Sequence, residues 1–227
     1  LWLTLFVCLV WLALPAPGDA QSSPILEELN ISLWPEYDSP GVLVIYRGQF
    51  DPAVGGAQDA FPLPVEIGIP EAAGQPHAVA YVGEDGGRYN LQYTTQVEGD
   101  QVIVAFTLPT PDFQIEYYDE LPVSDGGVRE YIFAYTAEYP VRNLLIEFQE
   151  PPLAQDLQLE PAADSSTVAG DGLSYHARQA GSVEQGDDVS WTFRYVKEDD
   201  RLTEEFFQQS APVPAPTQPA AVPENDS

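Results

Sequence analysis

Asp-Gly-Gly occurs twice, in Glu84-Asp85-Gly86-Gly87 and in Ser124-Asp125-Gly126-Gly127, each with an arginine and tyrosines close behind. Carboxylates gathered in a glycine-rich loop are one way to hold calcium, which needs several oxygens converging on one ion. Glu84, Asp85 and Asp125 are the candidate ligands on that reading. A calcium loop sets its carboxylates at alternating positions, whereas Glu84 and Asp85 are adjacent and Asp119, Glu120 and Asp125 are spread over a turn. Asp-Gly between apolar runs is also what a tight turn requires, because glycine takes positive φ without steric cost. The turn reading is preferred. The first copy is expected to close a hairpin between "HAVAYV" and "RYNLQY", and the second to make a turn or corner before "VREYIFAY".

Other chemistry has little to build on. The two histidines, His77 and His176, have no cysteine or close carboxylate cluster beside them for a transition metal. His176 shares its parity with Ser174 and Arg178, so it is expected on the solvent side. There is no Gly-x-Ser-x-Gly elbow and no glycine-rich phosphate loop. No enzyme is expected, and no cofactor apart from the calcium alternative.

Exposed aromatics carry the better binding hypothesis. Trp34 falls on the parity of Asn30 and Ser32, and Tyr118 on that of Gln114 and Glu116, while Tyr37 sits in the loop "WPEYDSP". Sandwich modules bind sugars by stacking rings on such side chains, with carboxylates and amides taking the hydroxyls. Trp34, Tyr37 and Tyr118 are thus the carbohydrate candidates. The structural alternative packs Trp34 and Tyr118 under a loop or between domains.

Positioning these residues falls to β-strands. Apolar and polar residues alternate in "FPLPVEIGIP", "RYNLQYTTQVE", "QVIVAFTLP", "DFQIEYY" and "VSWTFRYV", the period of a half-buried antiparallel strand. This parity places Tyr89, Tyr93, Tyr117, Trp191 and Tyr195 inside. "GVLVIYRGQF" is apolar on both parities over Val42–Tyr46, as suits a central strand. Twelve short strands separated by turn residues predict an all-β sandwich protein with no helix of useful length. One large sandwich or two small ones would accommodate them. The preferred reading is two tandem antiparallel immunoglobulin-like domains, 24–119 and 120–198, followed by a disordered Pro-rich and acidic tail over 199–227.

Composition limits the setting. Residues 1–20 form an apolar run ending in Pro, Gly and Ala, the pattern of an export signal cleaved before Gln21. Cys8, the one cysteine, lies within it, so the mature chain is expected to rely on its core rather than on disulfides. With 36 acidic and 8 basic residues and a formal net charge of −28, the chain lacks the basic patch that nucleic acid binding needs.

The stretch "LWPEYDSPGVLVIYRGQF", followed by "FPLPVEIGIP", "AVAYVGEDGG" and "FQIEYYDE", resembles a group of uncharacterised bacterial exported or membrane-anchored β-sandwich proteins. These are labelled carboxypeptidase regulatory-like or carbohydrate-binding-like, and the resemblance spans about residues 26–197. It implies an exported β-sandwich, membrane contact only through an anchor outside this chain, and no catalytic residues. The expectation is a non-catalytic module of the cell envelope. Its partner would be cell-wall or extracellular carbohydrate, or another envelope protein, with a structural spacer and a calcium-stabilised adhesion module as alternatives.

Overall fold

The computed structural model describes residues 24–53 and 61–210, with the side chains of 209 and 210 excepted. The expected signal segment and the tail beyond residue 210 lie outside them. The first strands are β1 (Leu26–Pro35), β2 (Val42–Phe50), β3 (Leu63–Pro70), β4 (Ala78–Val82) and β5 (Arg88–Asn90). Next come β6 (Tyr93–Glu98), β7 (Gln101–Leu108), β8 (Asp112–Asp119), β9 (Val123–Ser124) and β10 (Val128–Thr136). The chain continues through β11 (Val141–Gln149), β12 (Gln155–Glu160), β13 (Ser165–Val168), β14 (Ser174–Val183) and β15 (Asp188–Val196) to helix α1 (Thr203–Ser210).

The described residues form three sheets. An eight-stranded sheet runs β13-β14-β11-β1-β2-β8-β4-β5, a four-stranded sheet β12-β15-β10-β9, and a three-stranded sheet β3-β7-β6. Both small sheets pack on one face of the large one, because alternation gives each strand a single apolar side to bury. In β10, Tyr131, Phe133 and Tyr135 are buried while Ile132 and Ala134 face out. Rings bridge the two layers: Phe148 to Phe193 at 4.6 Å, Tyr46 to Tyr135 at 5.8 Å and Phe106 to Phe113 at 6.0 Å between centroids. β2, fifth in the large sheet, is buried on both faces from Val42 to Tyr46, as its double apolar parity predicts.

Strands from either side of residue 120 share this large sheet. β1 pairs antiparallel with β2 on one edge and parallel with β11 on the other, with Ile31 opposite both Tyr46 and Ile146. Their buried side chains belong to one cluster that includes Leu29, Tyr117, Phe133 and Trp191. The boundary expected at 119/120 therefore falls inside a common sheet and core. Single-strand periodicity says which side chains are buried but not which edge a strand pairs with, and a parallel partner leaves no hairpin signal.

Two further expectations change. The run read as one strand over 88–98 breaks at Leu91–Gln92 and changes sheets, so Tyr89 and Tyr93 stand on short marginal strands, 44% and 37% exposed. The segment read as a tail after 199 forms α1 over Thr203–Ser210, with Glu204 and Glu205 in its first turn, where acidic side chains favour a helix. None of the helices among the described residues is long and apolar enough to cross a membrane.

A buried ion cluster ties the C-terminal segment down. Glu36, in the β1–β2 loop with φ 49°, accepts Arg129 Nη2 at 3.1 Å and Tyr195 Oη at 2.7 Å. Lys197 Nζ lies 3.4 Å from the same carboxylate and donates to the Arg201 carbonyl at 2.6 Å. Arg129 Nη1 donates to the carbonyls of Gly127 and Lys197, and its Nη2 also reaches Asp200. Glu36, Arg129 and the sole lysine are nearly solvent-free. Each charge there has a counterion or carbonyl, which is the condition for burying it.

Candidate functional site

The face of the eight-stranded sheet turned away from the two small sheets carries the aromatics singled out above. Trp34 stands opposite Leu43, and Leu43 opposite Tyr118, so the three form one row across β1, β2 and β8. Extending the β1–β11 register by one residue from the Leu33–Phe148 pair brings Trp34 level with Gln149, which stands opposite Tyr175 in β14. Tyr175, Trp34 and Tyr118 thus recur on every second strand, roughly 10 Å apart by strand spacing. All three are half-buried.

The β1–β2 loop crosses this row. Tyr37 lies against Trp34 with centroids 5.0 Å apart and planes tilted by 46°. Tyr118 Oη donates to Asp38 Oδ2 at 2.9 Å. Burial, then the bond to Asp38, raises the Tyr118 phenol to about 12, so it stays a neutral donor. Burial and the Glu204 charge likewise raise Tyr37. The helix start fixes the loop, with the Thr203 and Glu204 N–H groups donating to the Glu36 and Tyr37 carbonyls at 2.8 and 3.0 Å. The Trp34 indole N–H is buried without a partner among the described residues. The structure thus brings Trp34, Tyr37 and Tyr118 together and leaves them partly under a loop. Tyr175 joins them unannounced, because parity taken from Leu173 points it inward; Leu173 belongs to the preceding turn, where its N–H donates to Asp171.

Four residues further along the strands the same face is polar. Asn30, Arg47 and Gln114 are level in β1, β2 and β8. Arg47 donates through Nε to Gln114 Oε1 at 3.2 Å and through Nη1 to Ser32 Oγ at 3.1 Å. A hollow of about 180 Å³ opens here, with Arg88 of β5 reaching in across the short side chains of β4. A second open hollow, about 540 Å³, lies on the outer face of the three-stranded sheet beside Glu66, Tyr93 and Tyr139. Tyr139 is already engaged there, its hydroxyl accepting the Glu66 N–H at 3.0 Å.

The calcium candidates are not brought together. Glu84 and Asp85 cap the β4–β5 hairpin on the margin of the large sheet, whereas Asp125 turns β9 into β10 in the four-stranded sheet. Asp85 serves its own turn: it accepts the Gly87 N–H at 2.9 Å and the Tyr89 hydroxyl at 2.5 Å. The Tyr89 bond, then the Gly87 N–H, holds its carboxyl below the usual range. Among the described residues there is no group of three or more His, Cys, Asp and Glu placed to hold a metal.

His176 differs from its expectation. Its ring is half-buried 6.1 Å from Phe148, with Nδ1 2.7 Å from Ser166 Oγ and Nε2 3.0 Å from Glu150 Oε2. Serine, histidine and carboxylate in line are the parts of a nucleophile, base and orienter. Here Ser166 is exposed in the extended β13 at the sheet margin. Ser166 stands inside that strand rather than at a helix start, where free N–H groups would meet an oxyanion. The contacts span the β13–β14 ladder and reach on to Glu150.

No protein-family model and no curated protein matches the chain. A solved structure of a protein put forward as a protease, from Parabacteroides distasonis, aligns over 78% of this chain and 41% of its own, at 8% identity and a TM-score of 0.41. The Fcho1 mu homology domain of Danio rerio, solved with a bound Eps15 peptide, aligns over 79% and 82% at 9% identity and a TM-score of 0.27. This chain thus spans less than half the length of the first. At these scores neither likeness bears on function.

Proposed function

We propose that the chain is a non-catalytic exported module of the cell envelope that contacts carbohydrate or cell wall on the open face of its large sheet. The observation that supports this is the row Tyr175–Trp34–Tyr118, with Tyr37 and Asp38 beside it. Rings at even spacing on a rigid sheet give repeated stacking surfaces, and amides and carboxylates nearby match sugar hydroxyls. The envelope setting rests on the apolar N-terminal run and on the resemblance to exported β-sandwich proteins.

A structural spacer is the second reading. It draws on the loop contacts, since Asp38 and Tyr37 already occupy part of the row. Retention of the chain on insoluble glucans, chitin and isolated cell wall separates the two. The binding reading expects retention that Trp34→Ala abolishes while the thermal melt stays cooperative. A parent chain retained on no matrix would leave the spacer.

A further inference from the structure

Eight basic residues face 36 acidic ones in this chain, so a cation without a carboxylate partner is contrary to the odds. Arg129, Arg142, Arg194, Arg201 and Lys197 all lie within 4.0 Å of an Asp or Glu oxygen. Arg47, Arg88 and Arg178 do not, among the described residues; Arg178 donates to the Ser190 carbonyl elsewhere, whereas Arg47 and Arg88 both line one hollow of about 180 Å³ on the outer face of the large sheet. Arg47 is held by two neutral oxygens, Gln114 Oε1 and Ser32 Oγ, which aim it without neutralising it. Burial and then the Arg88 charge pull its guanidinium below the usual range, with Glu116 and Glu147 opposing at longer reach. Two guanidiniums set toward one hollow repel each other, and an anion between them removes that penalty. Glu28 and Asp112 also line the hollow; Asp112 accepts Gln49 Nε2 at 2.9 Å.

We infer that the Arg47–Arg88 hollow takes a carboxylate carried by the glycan, so that the platform selects a sugar chain bearing isolated acidic substituents. This rests on the carbohydrate reading above and adds the substrate class. Along the strands, Arg47 lies four residues from the Trp34 row, roughly 14 Å, within reach of one continuous oligosaccharide. A densely charged polyanion does not fit: two arginines cannot offset the repulsion of a chain carrying −28. One carboxylate at a time does.

The test compares unmodified cellulose with sparsely carboxymethylated cellulose at 0.15 M salt, where exposed charges beyond about 8 Å are screened. The whole chain is expected to be retained about tenfold better on the carboxymethylated form, the scale of one charge-assisted contact. Arg88→Gln should erase that preference and keep the basal retention; Arg88 makes no side-chain bond to the rest of the sheet among those described, so the variant should fold. Arg88→Lys should restore part of it. Equal retention on both celluloses, lost in Trp34→Ala but not in Arg88→Gln, would overturn the acid selection and leave the platform intact. If neither matrix retains the chain, the platform reading falls. The hollow is then judged by glucuronate titration of the arginine Nε–Hε resonances, where shifts at Arg47 and Arg88 support it and flat resonances sink it.

Discussion

Among the described residues two places gather cations, and they differ in what closes them. Around Glu36, Arg129 and Lys197 share one carboxylate with the Tyr195 hydroxyl and nearby carbonyls, nearly solvent-free where the loop, β10 and β15 meet, with the exposed Asp200 reaching Arg129 from outside. At the hollow of the large sheet, Arg47 and Arg88 share no carboxylate within ion-pair reach among the described residues, and the site is open. A closed cluster has its counterion inside the fold, and its role ends in holding the fold. An open one has room for a counterion from outside.

Removing a member of the closed cluster should have the largest effect. Arg129→Ala leaves Glu36 with Lys197 as its one cation, beside the Tyr195 hydroxyl, and takes a donor from the carbonyls of Gly127 and Lys197. A loss of about 3–5 kcal/mol is expected in urea denaturation. A change below about 1 kcal/mol would mean that the cluster is dispensable and would erase the contrast.

Glu138 sharpens the comparison as a half-buried carboxylate with no cation within ion-pair reach among the described residues. It accepts the Gly68 N–H at 2.8 Å, and its other oxygen is orphaned, as is the nearby Tyr135 hydroxyl. Burial pushes its carboxyl up to about 7, against the opposing N–H bond. A raised carboxyl binds its proton more tightly folded than unfolded, so this stabilisation is full below about pH 4.5. It is lost as pH rises through about 7, on the order of 3 kcal/mol in all. Melts at pH 5 and pH 8 should differ accordingly, and Glu138→Gln should flatten that difference. An unchanged slope in the variant would assign the pH dependence elsewhere.

The open cluster should respond less. Arg88→Gln is expected to shift stability by no more than about 0.5 kcal/mol, in contrast to Arg129→Ala; a loss near that of the closed cluster would make Arg88 structural. Smallest of all is Ser166, for which no labelling by a fluorophosphonate is expected, in the parent or in Ser166→Ala. Labelling of the parent alone would turn a strand contact into a nucleophile.

Much of the fold and part of the site could be read from the residues. Alternation in "VREYIFAYT" marks β10, and the parity of Trp34 and Tyr118 puts them on the outer face. The rest depends on partners distant in sequence. Ile31 says it is buried but not that Ile146 lies beside it. Tyr89 and Tyr93 alternate like core residues, yet each stands on a strand at the end of its sheet and is exposed. Arg47 and Arg88 belong to strands that β8 and β4 separate, so only the assembled sheet brings them to one hollow.

The parallel pairing of β1 with β11 also orders the chain's assembly in time. A polypeptide made from its N-terminus presents the β1 edge long before Val141–Gln149 exists to cover it. Closing that gap is a non-local event, which slows folding and leaves a pairing template exposed. Assembly is a contest for one strand edge, in which residues 141–149 must arrive before a neighbouring chain does.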